Sequence, residues 1–144
     1  MGQDVRWEQR LNNLEKACAK ILEITEGERS CMELSELERE GLIQRFEYSY
    51  ELAWKTMQDF LRYLGYDFQA GPNATLRQAL EVGIIDKAEE WRDMAAARIT
   101  TSHTYDEYDE YDATEVAERI YDTYSVLLKE LVEYLQHQRD FYNK

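Results

Sequence analysis

The stretch RITTSHTYDEYDEYD, residues 98–112, combines two side chains that could act together on a phosphate. Arg98 carries a planar, permanently charged guanidinium that suits a phosphate. His103 is one of two histidines in the chain and can exchange a proton near neutral pH. With an RNA 2′-hydroxyl as the nucleophile, His103 would remove or return a proton while Arg98 stabilises charge on the phosphorane. This chemistry would cleave RNA without a metal or a cofactor.

The same pair also has an ordinary interpretation. An arginine and a histidine at this spacing occur together by chance, and an isolated pair more often forms a surface ion pair or a helix cap. Residues five apart in an unbroken helix point about 140° away from each other. Arg98 and His103 could therefore share a ligand only if the helix breaks between them, or if two copies of the chain meet at a two-fold interface.

The segment around His103 is a poor helix former. Its hydroxyl side chains compete for backbone hydrogen bonds, and they are Thr100, Thr101, Ser102 and Thr104. We therefore predict that the helix carrying Arg98 frays or ends near His103. A helix carboxyl end would also favour a protonated histidine.

The rest of the chain predicts the helices that must position this stretch. Apolar residues recur at spacings of three and four over residues 4–26, and again from Leu42 to Leu64. Ser35 and Glu38 form a capping-box pattern where the second of these helices should begin. That helix would be roughly 40 Å long, enough to serve as the spine of a bundle.

Three shorter or later segments complete the pattern. Leu76–Val82 predicts a short helix after a break at residues 71–72, and Asp86 with Glu89 forms another capping pair that opens a fourth helix. The last helix places its apolar residues on one face, and they are Val116, Ile120, Tyr124, Leu127, Leu131 and Tyr134. The sequence thus predicts one all-α domain over residues 1–144, an antiparallel up-and-down bundle of four to five helices.

Composition narrows the possible functions. The 17 basic and 30 acidic residues give a net charge of −13, which repels nucleic acid at long range. An RNA would therefore need a locally basic cleft. Cys18 and Cys31 lack metal-ligand spacing and are too few for a disulfide scaffold, so we expect a reduced, cytoplasmic setting. No apolar run approaches the length of a membrane span, and we expect no membrane contact.

Three segments carry a family resemblance. They are RWEQRLNNLEKA at residues 6–17, LSELEREGLIQRFEYSYELAWKTMQDFL at 34–61, and RITTSHTYDE at 98–107. These segments resemble the nucleotidyltransferase substrate-binding proteins of the HepT-like branch of the HEPN superfamily. Residues 71–85 and 89–94 fit the same family, so the resemblance covers nearly the whole chain.

The resemblance implies a helical bundle that forms a homodimer and binds a minimal nucleotidyltransferase. HepT-like members are toxins of toxin–antitoxin pairs and cut RNA through an arginine–histidine motif at the dimer cleft. Their nucleotidyltransferase acts as the antitoxin and adenylylates a tyrosine two residues after the histidine. In this sequence the motif would consist of Arg98, His103 and Tyr105, and no cofactor is implied.

Several alternatives stay open. The family commonly has a polar residue after the motif arginine, whereas this chain has Ile99, which cannot form a side-chain hydrogen bond. The protein could therefore be a non-catalytic substrate-binding subunit of a two-component nucleotidyltransferase. Glu47 and Glu51, one helical turn apart, could orient Arg98 or simply face solvent. Tyr105 could be the modified residue or could pack at the start of the last helix.

Overall fold

The computed structural model describes residues 6–101 and 110–143, and every regular element within them is helical. The elements are α1 (Arg6–Thr25), a short 3-10 helix (Cys31–Glu33), α2 (Glu36–Tyr63), α3 (Pro72–Val82), α4 (Ala88–Thr101), α5 (Glu110–Arg119), a π-helical turn (Ile120–Tyr124) and α6 (Ser125–Tyr142). α5, the π-helical turn and α6 follow one another without a break. The all-α bundle predicted from the sequence is confirmed.

α2 is the spine of this bundle, because it contacts each of the other five α-helices. α1 and α6 also pack against each other along one side. Aromatic rings fill the core near the middle and near the carboxyl end of α2. Trp7 of α1 packs on Phe60, with ring centroids 4.7 Å apart, and Phe46 stacks on Tyr124 at 5.2 Å. The site residues on α2 therefore lie on a helix that is held on several sides.

The capping box predicted at the start of α2 is confirmed. The Glu38 amide donates to Ser35 Oγ at 3.1 Å, and the Ser35 amide donates to Glu38 Oε1 at 2.9 Å. These two bonds satisfy amides that have no partner within the helix. At the other end, Gly65 adopts a positive φ of 98° after the last turn. Local sequence thus defines both ends of the spine.

Two predicted helices differ from those observed. α3 begins at Pro72 rather than at Leu76. Proline lacks an amide hydrogen and has a fixed φ, so it suits the first position of a helix. The last helix is interrupted by the π-helical turn. In a regular α-helix, the two steps from Val116 to Tyr124 would end about 80° past two full turns. The wider π turn compensates for this drift and keeps Ile120 and Tyr124 buried on the core side.

Candidate functional site

Arg98 lies in the last turn of α4 and faces α2. Its Nη1 lies 3.5 Å from Glu47 Oε2, and its Nε lies 3.3 Å from Glu51 Oε1. Residues four apart on a helix share one face, so both carboxylates reach the same guanidinium. A cation at the carboxyl end of α4 is also favoured by the helix dipole. The structure therefore brings together three of the residues that the sequence singled out.

Trp54, one turn beyond Glu51, completes this contact set. Its indole N–H donates to Glu51 Oε2 at 3.0 Å, while Glu51 Oε1 faces Arg98. Trp54 itself is half-buried and packs against the core. One oxygen of Glu51 is thus fixed by a ring that belongs to the fold, and the other is left for the arginine.

The Arg98 guanidinium is only partly enclosed. The side chains of Arg98 and Glu47 are each 24% exposed, and that of Glu51 is 36% exposed. Arg98 Nε is buried, yet it makes no hydrogen bond to any residue that the structure describes. Its contact with Glu51 is therefore a close ion pair with poor hydrogen-bond geometry. The arginine is positioned by charge, and part of its donor capacity is unused.

Tyr50 lies buried beside this group. The pKa of its hydroxyl is raised to about 12, mainly by burial and also by the nearby Glu51 carboxylate, while Arg98 acts in the opposite direction. Because the tyrosine stays neutral over the physiological range, it adds no charge to the site. Among the described residues, the electrostatics near Arg98 are set by one cation and two carboxylates.

The end of α4 shows the hydroxyl competition that the sequence predicted. Thr100 Oγ1 donates to the Ala96 carbonyl at 3.2 Å, and Thr101 Oγ1 donates to the Arg98 carbonyl at 3.1 Å. Threonine hydroxyls within a helix commonly bond to a carbonyl three or four residues earlier, and both bonds follow that pattern. The prediction that the helix ends near His103 falls outside the described residues.

Ile99 faces away from Arg98. Its side chain is 65% exposed and lines a cavity of about 500 Å³ between α3 and α4, together with Trp91 and Ala95. Adjacent residues on a helix point about 100° apart, which accounts for the different surroundings. Within the residues that the structure describes, Ile99 and Arg98 belong to two different surfaces of α4.

A second contact set holds α4 against the π-helical turn, and sequence reasoning missed it. The Tyr124 hydroxyl donates to Asp93 Oδ2 at 2.6 Å, and Arg119 Nη1 lies 3.7 Å from Asp93 Oδ1. Burial and the bond to Asp93 raise the pKa of Tyr124. A buried tyrosine generally needs a partner for its hydroxyl, which was a usable signal, but nothing in the sequence pointed to Asp93 as that partner.

Comparison with known proteins shows which family the chain belongs to. The sequence model of a family described as nucleotidyltransferase substrate binding protein like matches residues 9–137. The chain belongs to this family. It is also similar to a protein of known crystal structure from Thermus thermophilus, with 34% identity and a TM-score of 0.71. That match covers 85% of this chain and 98% of the other. No curated protein matches the chain significantly.

The family model matches a part of the chain that includes Arg98, Glu47 and Glu51. It also spans His103 and Tyr105, which lie outside the described residues, so their distances from Arg98 stay predictions. The orienting role of the two glutamates likewise stays a prediction, although both contact Arg98.

Three further features of the described part of the chain bear on its possible functions. No cluster of three or more histidine, cysteine, aspartate or glutamate residues within it could hold a metal ion. Cys18 and Cys31 are both buried and unpaired, and burial raises the pKa of the Cys18 thiol to about 11. Neither thiol is therefore suited to act as a nucleophile. None of the helices in residues 6–101 and 110–143 has the length and apolar character of a membrane span.

Proposed function

We propose that this protein is a HepT-like HEPN protein that works with a minimal nucleotidyltransferase and is the ribonuclease toxin of a toxin–antitoxin pair. The observation that carries this proposal is the placement of Arg98. It lies at the end of α4, held by Glu47 and Glu51 of the spine helix, in the turn that leads into the segment with His103. An arginine fixed in this way can meet a phosphate without a large loss of side-chain entropy.

The proposed reaction uses the RNA as its own nucleophile. His103 accepts the proton of a 2′-hydroxyl, whose oxygen then bonds to the adjacent phosphorus. The bond from phosphorus to the 5′ oxygen breaks, and that oxygen takes a proton from the protonated imidazole. The products are a 2′,3′-cyclic phosphate and a 5′-hydroxyl. Arg98 stabilises the extra negative charge that the phosphorane carries.

The two glutamates have a defined task in this scheme. They hold the guanidinium in one orientation and also offset its charge, so an incoming phosphate must compete with them. The Arg98 side chain is partly exposed, and this exposure is what allows it to bind the phosphate while it stays attached to Glu51. Glu51 and Glu47 act as positioning residues, because they touch the arginine rather than the RNA.

Assembly is part of the proposal. Two copies of the chain form a two-fold dimer in which Arg98 and His103 from both copies line one cleft. A shared cleft concentrates two arginines at one place on a chain whose net charge is −13, and this gives RNA a local site. Native mass spectrometry at micromolar concentration tests this point. A protein that is entirely monomeric there contradicts the shared cleft.

The partner would control this activity at Tyr105. The Tyr105 oxygen attacks the α-phosphorus of ATP, the bond to pyrophosphate breaks, and AMP stays on the tyrosine. The added negative charge would compete with the RNA phosphate for Arg98. Co-expression with the nucleotidyltransferase should add the mass of AMP to the intact protein, and the addition should vanish in Tyr105→Phe. Persistence of the adduct in that variant contradicts the assignment.

A second candidate function is a substrate-binding subunit with no chemistry of its own. Two carboxylates on one arginine favour it, because they offset the charge that a nuclease needs. The family description also names substrate binding. Both functions use a nucleotidyltransferase as partner, so partner binding does not separate them.

Expression of the chain without its partner separates the two functions. The nuclease proposal predicts growth arrest and RNA cleavage for the wild type, and loss of both effects in His103→Ala and in Arg98→Ala. His137→Ala is the matched control, because His137 is the other histidine and is exposed on α6. Intact RNA and normal growth with every version would leave the substrate-binding function as the conclusion.

A further inference from the structure

A second surface of α2, away from Arg98, forms a groove with α1. The cavity there has a volume of about 470 Å³ and is lined by Asn13, Lys16, Ala17, Lys20, Gly41, Gln44, Arg45 and Tyr48. We call this cavity the α1–α2 groove. Among the described residues, its lining contains three cationic side chains and no carboxylate. This is unusual for a chain in which acidic residues outnumber basic ones by 30 to 17.

The cations of the α1–α2 groove are not engaged by acidic neighbours. Neither Lys16 nor Lys20 forms an ion pair with any described residue, and Arg45 Nη1 donates instead to the backbone carbonyl of Lys20 at 2.8 Å. Elsewhere, many cations face a carboxylate, and the pairs of Arg98 and Arg139 are examples. Within the described part of the chain, the groove therefore holds three cations that form no ion pair with a carboxylate.

Gly41 leaves the floor of the groove open. It lies inside α2 and has no positive φ, so its backbone does not need glycine. A Cβ atom built at Gly41 would meet no atom within 4 Å, so packing does not exclude a side chain either. Glycine inside a helix is unfavourable relative to alanine. The absence of a side chain at Gly41 deepens the groove, although alanine would stabilise the helix at this position.

The remaining polar and aromatic side chains suit a planar group. Tyr48 is 59% exposed and forms no ring contact with another described aromatic residue. Asn13 and Gln44 add amide groups, which can both donate and accept hydrogen bonds, on the two walls of the groove. An exposed tyrosine between amides offers a surface on which a nucleic-acid base can stack.

We propose that the α1–α2 groove binds a nucleotide through a chain of phosphates. Lys16, Lys20 and Arg45 would contact the phosphates, and Tyr48 would stack on the base. A cavity of about 470 Å³ lies within the range of small-molecule sites. A free nucleotide fits a cavity of this size better than a long RNA does, because three cations are too few to follow an RNA backbone far. This site is separate from Arg98 and does not depend on the nuclease proposal.

Calorimetric titration of the full-length wild type with ATP tests the site. Inorganic tripolyphosphate and adenosine serve as separate probes for the phosphate and base contacts. We expect saturable binding of ATP, weaker binding of tripolyphosphate, and still weaker binding of adenosine. The double variant Lys16→Gln/Lys20→Gln should bind ATP about tenfold more weakly or worse, because two charge-assisted contacts are lost. Tyr48→Ala should weaken ATP but not tripolyphosphate.

Two further variants make the test specific. Gly41→Leu should block the groove without changing any charge, and its thermal unfolding shows whether it remains folded. Arg77→Gln/Arg92→Gln removes the same charge from the cavity between α3 and α4, and it should leave ATP binding unchanged. Equal weakening by this control, or no saturable binding of ATP, would overturn the proposal. Binding restricted to long RNA, or equal binding of ATP and tripolyphosphate with no effect of Tyr48→Ala, would also overturn it.

Discussion

Arg98 on α4 and Arg45 on α2 are both half-buried arginines, but their electrostatic surroundings are opposite. Arg98 faces two carboxylates of α2, whereas Arg45 donates only to a backbone carbonyl and shares its groove with two lysines. The two carboxylates hold Arg98 in place and largely offset its charge. The charge of Arg45 is not offset by a described carboxylate, so it can attract another molecule. An arginine that is paired with carboxylates is held in one orientation. A cluster of cations without carboxylates is suited to bind an anion. The charge of a residue alone therefore does not predict its use.

The largest predicted effect on stability distinguishes the α1–α2 groove from the contact set that holds α4, through one tyrosine in each. Tyr124 is fully buried and anchors α4, whereas Tyr48 projects into the α1–α2 groove. Tyr124→Ala should lower the free energy of unfolding by about 3–5 kcal/mol, as expected for deleting a buried ring. Tyr48→Ala should change it by no more than about 0.5 kcal/mol. Urea denaturation measures both values.

If Tyr124→Ala does not fold, Tyr124→Phe still tests the contact with Asp93. It removes only the hydroxyl and should lower the free energy of unfolding by about 1–2 kcal/mol. Equal stability of Tyr124→Phe and the wild type would mean that the bond to Asp93 does not anchor α4.

The second prediction concerns pH and distinguishes the Arg98 region. Burial raises the pKa of Tyr50 from 10.0 to about 12, with Glu51 adding to the rise. The folded protein thus holds the Tyr50 proton more tightly than the unfolded chain. Its contribution to stability is complete below pH 10 and is lost as the pH rises from 10 to 12. Each unit of pKa corresponds to about 1.4 kcal/mol, so the loss should be about 2–3 kcal/mol.

Tyr50→Phe isolates this contribution from those of other groups. Tyr124 and Cys18 also have raised pKa values, so the wild type and the variant should both lose stability in alkali. The variant should lose less between pH 10 and pH 12. Urea unfolding curves that shift in parallel for the two proteins would contradict the raised pKa of Tyr50.

The third prediction breaks the ion pairs directly. Arg98→Met leaves Glu47 and Glu51 without their cation and should lower the free energy of unfolding by about 1–2 kcal/mol, between the values for exposed and for buried pairs. Adding Glu47→Gln and Glu51→Gln should recover part of that loss, because the repulsion disappears. Lys20→Met should leave the free energy of unfolding nearly unchanged. Equal losses for Arg98→Met and Lys20→Met would remove the contrast between the two regions.

The sequence predicted the spine more fully than the sites. α2 was predictable because its apolar face is continuous and because Ser35 and Glu38 mark its start. The pairing of Arg98 with Glu47 and Glu51 was stated as one alternative, since helix periodicity alone does not show which helix faces another. The family resemblance drew attention to Arg98. The α1–α2 groove had no signal in the sequence, because its cations on α1 and α2 lie far apart along the chain and look like ordinary surface residues.

The misses in the fold have a common physical origin. Pro72 was interpreted as a break because proline interrupts a helix interior, yet the first turn of a helix accepts it. The π-helical turn was missed because the apolar pattern of the last helix looked regular when only its spacing was counted. Asp93 was missed because an acidic residue on an exposed face is normally solvated. In each case the deciding contact is tertiary or depends on position within a helix.

The smallest predicted effect is a gain in stability at Gly41. Alanine there should raise the free energy of unfolding by about 0.5–1 kcal/mol, because alanine restricts the unfolded chain and favours the helix. The added Cβ meets no atom within 4 Å, so no clash opposes this gain. Gly83→Ala is the matched control, since Gly83 has a φ of 95° and should lose stability when substituted. Urea denaturation of both variants gives the comparison.

A stabilised Gly41→Ala means that the fold does not require glycine on the groove floor, and this strengthens the case for a ligand there. A destabilised Gly41→Ala would instead give the glycine a structural role and remove one argument for the nucleotide site.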